Sequence, residues 1–174
     1  RIEAEGYRLL RELGAPAPVS VRTVGGGARK LVNVRGEQVG SGAGFREAFA
    51  HRRCVVVTDG FYEWPGKGME PFLLHRADDG LVLLGGLTQR ADAGEAHAHF
   101  TVLTTRPNGV VAPIHDRMPV VVPAARLDAW LGGEPAEAAR AITPAPDDAL
   151  VATRVSKHVN NVRNDDPECV VPAP

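Results

Sequence analysis

"CVVVTDGFYEW", residues 54–64, begins as a valine-rich strand with the character of a buried one and turns at Asp59-Gly60. The stretch then sets one carboxylate, Glu63, among Phe61, Tyr62 and Trp64, although the whole chain holds only 5 Phe, 2 Trp and 2 Tyr. Either Glu63 is the solvent-facing tooth of an ordinary strand, or its surroundings are built to hold a proton.

Outward from this stretch the chain alternates short strands with short helices. Towards the N-terminus, residues 2–13 place Ile2, Leu9, Leu10 and Leu13 on one helical face with Gly14 as a stop. "APAPVSVRTV" is extended up to the Gly25-Gly26-Gly27 turn, "ARKLVNVRGE" is a short strand or extended segment, and "GFREAFAHR" is a short helix. Towards the C-terminus, "PFLLHRA" and "GLVLLGGLTQ" flank Asp78-Asp79-Gly80 as a hairpin, and "AHAHFTVLTT" and "MPVVV" are further strands. "PAARLDAWLGG" is a helix with Pro123 at its first position, Leu127, Trp130 and Leu131 on its apolar face and Gly132 at its end. A second short helix covers 134–141, and a last strand lies near "ALVATRV". Short strands with turn signals, interrupted by helices, predict an α+β fold with a mostly antiparallel sheet, and 174 residues without a linker or repeat predict a single domain over 1–174.

Composition narrows the function classes. A net charge of −1 gives no global basic field, so nucleic-acid binding needs a local patch. No apolar run approaches a membrane span, and "RIEAEGYRLL" has no signal-peptide pattern, which predicts a cytoplasmic protein without membrane partners. Cys54 and Cys169 are too far apart in sequence for a CxxC site and read as reduced thiols. "VGGGA" lacks the Lys-Ser/Thr of a phosphate loop. His97 and His99 alternate on a strand without a third ligand at motif spacing, so neither a metal nor a cofactor is expected.

Three further clusters carry polar groups that chemistry can use. In "PIHDRMPVVV" (113–122), His115 can pass a proton near neutral pH and Arg117 can clamp a phosphate from the same side of an extended backbone. Taken alone, a loop histidine beside an exposed ion pair explains the same residues and is favoured. In "LVNVRGE" (31–37), Asn33 and Arg35 share a face if the segment is extended; the polar face of an exposed strand is again the plainer account. Cys54 follows two arginines, which lower a thiol pKa, but it opens a valine run, which favours an inert core thiol.

Taken together, "RRCVVVTDGFYEW", "LVNVRGE", "GLT", "TVLTTRPN", "IHDRMPVVV" and "VSKHVNNVRNDDPECV" resemble the SRAP domain, the SOS-response-associated peptidase family, from about Leu31 to Val170. The resemblance implies a partly open barrel with flanking short helices and abasic-site processing on single-stranded DNA. Members crosslink covalently to the lesion through an N-terminal cysteine, and some remove their own leader to expose it. It further implies Glu63 as the acid/base carboxylate, His115 as its proton-carrying partner and Asn33 as the residue orienting the amine. Arg35 and Arg117 would grip phosphates, Trp64 would stack or wedge beside the missing base, and Thr104 would lie at the DNA face.

The family's Met-Cys-Gly-Arg start, its "RYNxAP" stretch and its "WGLxPxW" segment are not found in this sequence, which begins at Arg1. Two expectations follow: a parent chain that carries the cysteine, or a non-catalytic binder of single-stranded or damaged DNA that has lost it. Action on unrelated peptides is the least favoured reading, since no Ser/His/Asp set stands in the sequence.

Overall fold

The computed structural model describes residues 33–40, 43–66, 70–89 and 99–174. The helix expected at 2–13, the extended run and Gly turn that follow it, and His97 lie outside these residues. In chain order the elements are β1 (Asn33–Arg35), α1 (Ala43–His51), β2 (Arg53–Thr58), β3 (Gly60–Glu63), β4 (Phe72–His75), β5 (Val82–Gln89) and β6 (His99–Thr105). They continue with β7 (Met118–Pro119), α2 (Leu127–Gly132), α3 (Pro135–Ala138) and β8 (Val151–Arg154), joined by single 3-10 turns. The strands form two sheets, one in the order β1-β6-β5-β2 with β7 beside β6, the other β3-β4-β8. The fold is α+β. The β3–β4, β4–β8 and β5–β6 pairs are antiparallel, the β1–β6 pair is parallel, and among the described residues neither sheet closes on itself.

The chain divides into two compact units. The first takes in the stretches up to Thr58, Leu83–Thr105 and Pro119–Thr143; the second takes in Asp59–Val82, Arg106–Met118 and Pro144–Pro174.

The first unit is organised by Trp130, which is fully buried. Val34, Phe49, Leu83, Leu87, Leu103, Val120, Val122 and Leu127 are buried in the same cluster. Phe49 meets Trp130 edge to face, with ring centroids 6.0 Å apart. The indole N–H donates to the Cys54 carbonyl at 2.9 Å, which satisfies the one polar atom of the ring that burial would otherwise orphan. β5 passes so close to this ring that a Cβ on Gly85 would meet Trp130 at 2.8 Å, so glycine there is a packing requirement. The α2 helix follows a 3-10 turn after Pro123, and Leu127 and Trp130 face the core as expected. Leu131 does not: it is 37% exposed, because one residue past Trp130 the helix has turned about 100° from the core.

Arg53 closes the unit. Its guanidinium donates to the carbonyls of Phe49, Ala50, Trp130 and Gly133 and lies over the Phe49 ring. These bonds cap the C-terminal carbonyls of α1 and α2. Arg53 therefore does not activate Cys54. Burial pushes that thiol up to about 11, and it is an inert group.

The second unit has its own buried apolar residues, and polar side chains hold its loops. Leu74, Val111, Met118, Leu150 and Val155 are buried. Asn108, also buried, holds the loop that leads to His115. Its Oδ1 accepts from Val111 N at 3.0 Å and its Nδ2 donates to Pro146 O at 3.2 Å. The next residue's N–H, on Gly109, donates to Asp147 at 2.7 Å.

The hairpin expected across Asp78-Asp79-Gly80 is not formed. The turn itself is there: Asp79 has φ 53°, Gly80 N donates to Asp78 Oδ1, and Arg76 pairs with Asp78. Yet β4 pairs with β3 and β8, while β5 pairs with β6. No helix among the described residues is long and apolar enough to cross a membrane.

Candidate functional site

Glu63 ends β3, where Cα pairing with Phe72 fixes its direction. Its side chain is 20% exposed, and its Oε2 lies 3.9 Å from Nδ1 of His115, whose side chain is 40% exposed. The distance is ion-pair reach, longer than a hydrogen bond, and leaves both groups open to a third partner. Burial raises the Glu63 carboxyl above the ordinary glutamate value. His115 opposes that rise, Asp116 adds to it, and a hydrogen bond from the Trp64 backbone opposes it. Desolvation is the largest of these, so the carboxyl holds its proton to higher pH than a free side chain does.

His115 is oriented by its own loop. Its Nδ1 stands 3.1 Å from Arg117 N and 3.0 Å from Arg117 O, so it has a backbone partner in either tautomer. Asp116 Oδ1 lies 3.5 Å from the same nitrogen. Nε2 makes no hydrogen bond among the described residues, which leaves it open to a ligand.

The aromatic neighbours of Glu63 are also fixed. Trp64 Nε1 donates to Asn160 Oδ1 at 2.7 Å, and its ring is tilted against Tyr62 with centroids 6.2 Å apart. Tyr62 OH donates to the Cys169 carbonyl at 3.4 Å, and burial raises its pKa, keeping it a donor. Glu63, Trp64, His115 and Arg117 thus all belong to the second unit.

The other anticipated residues belong to the first unit. Asn33 and Arg35 are exposed and flank buried Val34, the alternation that an extended "NVR" predicts. β1 runs parallel to β6, with Arg35 paired to Thr104, so these two side chains leave the same face. Thr104 Oγ1 donates to Val34 O at 3.4 Å, which fixes the hydroxyl. Two residues that matter here had no role assigned from sequence. They are Asn108, signalled only by an Asn-Gly pair, and Asn160, which nothing local marks as the partner of a tryptophan 96 residues away.

The profile of the family described as "SOS response associated peptidase (SRAP)" matches residues 17–162. The abasic site processing protein YoqW of Bacillus subtilis is 30% identical over 149 residues, covering 81% of this chain and 66% of its own length. The abasic site processing protein HMCES of Gallus gallus is 32% identical over 148 residues, 70% of this chain and 44% of its own. A crystal structure of a Bacteroides thetaiotaomicron protein superposes with a TM-score of 0.72 at 26% identity, covering 81% of this chain and 65% of that one. The chain thus spans about two thirds of the bacterial relative's length and less than half of the vertebrate one's. With the profile match running through both units, the chain belongs to the SOS response associated peptidase (SRAP) family.

Proposed function

We propose that this protein processes abasic sites in single-stranded DNA, acting as a single domain, with Glu63 and His115 as its proton-transfer pair. The observation that carries the reading is a part-buried carboxyl with a raised pKa, 3.9 Å from an imidazole whose second nitrogen is unengaged. Relatives named abasic site processing proteins support the substrate class.

The chemistry follows from the lesion. An abasic sugar rests mostly as a closed hemiacetal. To open, its ring oxygen must gain a proton while its anomeric hydroxyl loses one. Glu63, whose protonated form burial favours, donates to the ring oxygen, and His115 accepts from the hydroxyl. The ring C–O bond breaks and an aldehyde remains. An amine then attacks that carbonyl, with Asn33 orienting it through its amide. Arg35 and Arg117 bind flanking phosphates, Thr104 lies at the DNA face, and Trp64 stacks where the base is missing. Neither cysteine of this sequence serves as the nucleophile: Cys169 is buried, and part-buried Cys54 has its thiol pushed up to about 11. In the resemblance that role belongs to an N-terminal cysteine whose free α-amine and thiol close a ring on the aldehyde carbon, with the carbonyl oxygen leaving as water.

The test uses the full-length protein with single-stranded DNA bearing one abasic site, read on a denaturing gel beside undamaged DNA. A heat-stable product on abasic DNA alone is expected, and its rate should fall ~100-fold or more in Glu63→Gln with binding retained. An unchanged rate in that variant would remove Glu63 from the chemistry. Binding without product in the unmodified protein would assign it to damage recognition alone.

A further inference from the structure

Outside the Glu63–His115 pair, one other group of three potential metal-ligating side chains converges in the second unit among the described residues. His158 and Cys169 sit on two 3-10 turns, Lys157–Asn160 and Pro167–Val170, and Asp166 caps the second. His158 Nε2 lies 2.9 Å from Asp166 Oδ2, and ligand atoms of all three residues fall within 4.8 Å of one another. We infer that His158, Asp166 and Cys169 form a binding site for a borderline-soft divalent cation of the zinc class.

The donor set is one imidazole nitrogen, one thiolate sulfur and one carboxylate oxygen, which is zinc chemistry rather than that of magnesium or calcium. The geometry is close to what the ion needs. Bonds of about 2.0–2.3 Å in a tetrahedron separate ligand atoms by roughly 3.3–3.7 Å. The imidazole and carboxylate would part by about half an ångström, and the sulfur would close by at most about one.

The backbone already holds each ligand. Ser156 accepts from His158 N, fixing the start of the first turn. Asp166 uses Oδ1 to accept from Glu168 N at 2.9 Å, which leaves Oδ2 for the ion. Asn164 donates to His158 O at 2.8 Å, and its own carbonyl lies 3.6 Å from the Cys169 sulfur. On the other side of the imidazole, Glu168 Oε2 lies 3.7 Å from Nδ1. That carboxylate stands on the side where an outer partner stands in carboxylate–histidine–metal arrangements, and the Nε2 proton now shared with Asp166 would leave as the metal binds. Cys169 is buried while Asp166 and Glu168 are exposed, so the open coordination position faces solvent. An ion here would brace the C-terminal segment against β3, because the Cys169 carbonyl already accepts from Tyr62.

The probe is Co2+ added to the metal-free full-length protein, followed by Zn2+. One equivalent should give a thiolate-to-cobalt charge-transfer band with tetrahedral visible bands, and Zn2+ should abolish them. Cys169→Ser should lose the charge-transfer band, Cys54→Ser should keep it, and His158→Gln should weaken affinity at least ~tenfold. Zinc should also raise the Tm of the unmodified protein and not that of His158→Gln. Absence of the band, its survival in Cys169→Ser, or its loss in Cys54→Ser would overturn the site. Should Cys169→Ser fail to fold by circular dichroism, His158→Gln decides: unchanged cobalt affinity there would equally overturn it.

Discussion

Each unit contains one tryptophan, and the two are used in opposite ways. Trp130 is fully buried, edge-on to Phe49, with its N–H bonded to a backbone carbonyl of the neighbouring strand. Trp64 is half-buried, tilted on Tyr62, with its N–H bonded to a side chain, Asn160, itself exposed. The first unit excludes water around a large ring, and its polar groups serve the ring. In the second unit the ring stays half exposed, and a polar side chain holds it. A core residue is positioned by packing on every side; a site residue keeps one side open and is positioned by hydrogen bonds instead.

The largest expected effect lies at Trp130. Trp130→Ala leaves a cavity beside Gly85 and takes a donor from the Cys54 carbonyl, and it should cost about 3–5 kcal/mol in chemical denaturation. If the loss were under about 1 kcal/mol, the ring would not be the organiser that its burial makes it.

At Glu63 the sign reverses. Its folded pKa is raised, chiefly by burial. The associated stability is therefore fully present below the ordinary glutamate value and lost as pH rises through the raised one. At neutral pH the ionised carboxylate costs stability, so Glu63→Gln should be as stable as the unmodified protein or more so, by about 2 °C in Tm. The gain should vanish in mildly acidic buffer. A Gln variant less stable at neutral pH would mean that the carboxylate is held by its partners more than it is penalised by burial.

How far the sequence could be read divides along the same line. The exposed-buried-exposed pattern of Asn33, Val34 and Arg35 follows from period-two alternation, and the burial of Leu127 and Trp130 follows from helical period. The aromatic run around Glu63 stands in the sequence itself, while the burial that raises its pKa depends on the fold. The hairpin at Asp78–Gly80 misled because turn chemistry is local whereas strand pairing is decided by which faces need burial. The link from Trp64 to Asn160 was illegible for the same reason, since a long-range side-chain bond leaves no spacing rule. The His158, Asp166 and Cys169 cluster shows no CxxC-like spacing in the sequence, because two 3-10 turns bring together residues eight and three positions apart.

The smallest expected effect lies at Asn160, behind the half-buried ring. Asn160→Ala removes one hydrogen bond from a half-exposed ring, so its cost in stability should be only about 0.5–1.5 kcal/mol. The ring itself should respond more than the fold. Released from Asn160, Trp64 keeps its contact with Tyr62 but loses the bond that sets its tilt, and its fluorescence should shift towards that of a solvated indole. Trp130 contributes a constant blue background because its environment is untouched. Under the proposed function, affinity for abasic single-stranded DNA should fall several-fold, since a stacking ring held loosely loses more entropy on binding. Asn160→Asp separates the two effects: it keeps an acceptor for the indole N–H and adds a charge that repels phosphate. Fluorescence like the unmodified protein with weakened DNA binding would place Asn160 at the DNA face as well as behind the ring. A shifted spectrum in both variants with unchanged binding would show that the tilt of Trp64 does not matter to the DNA.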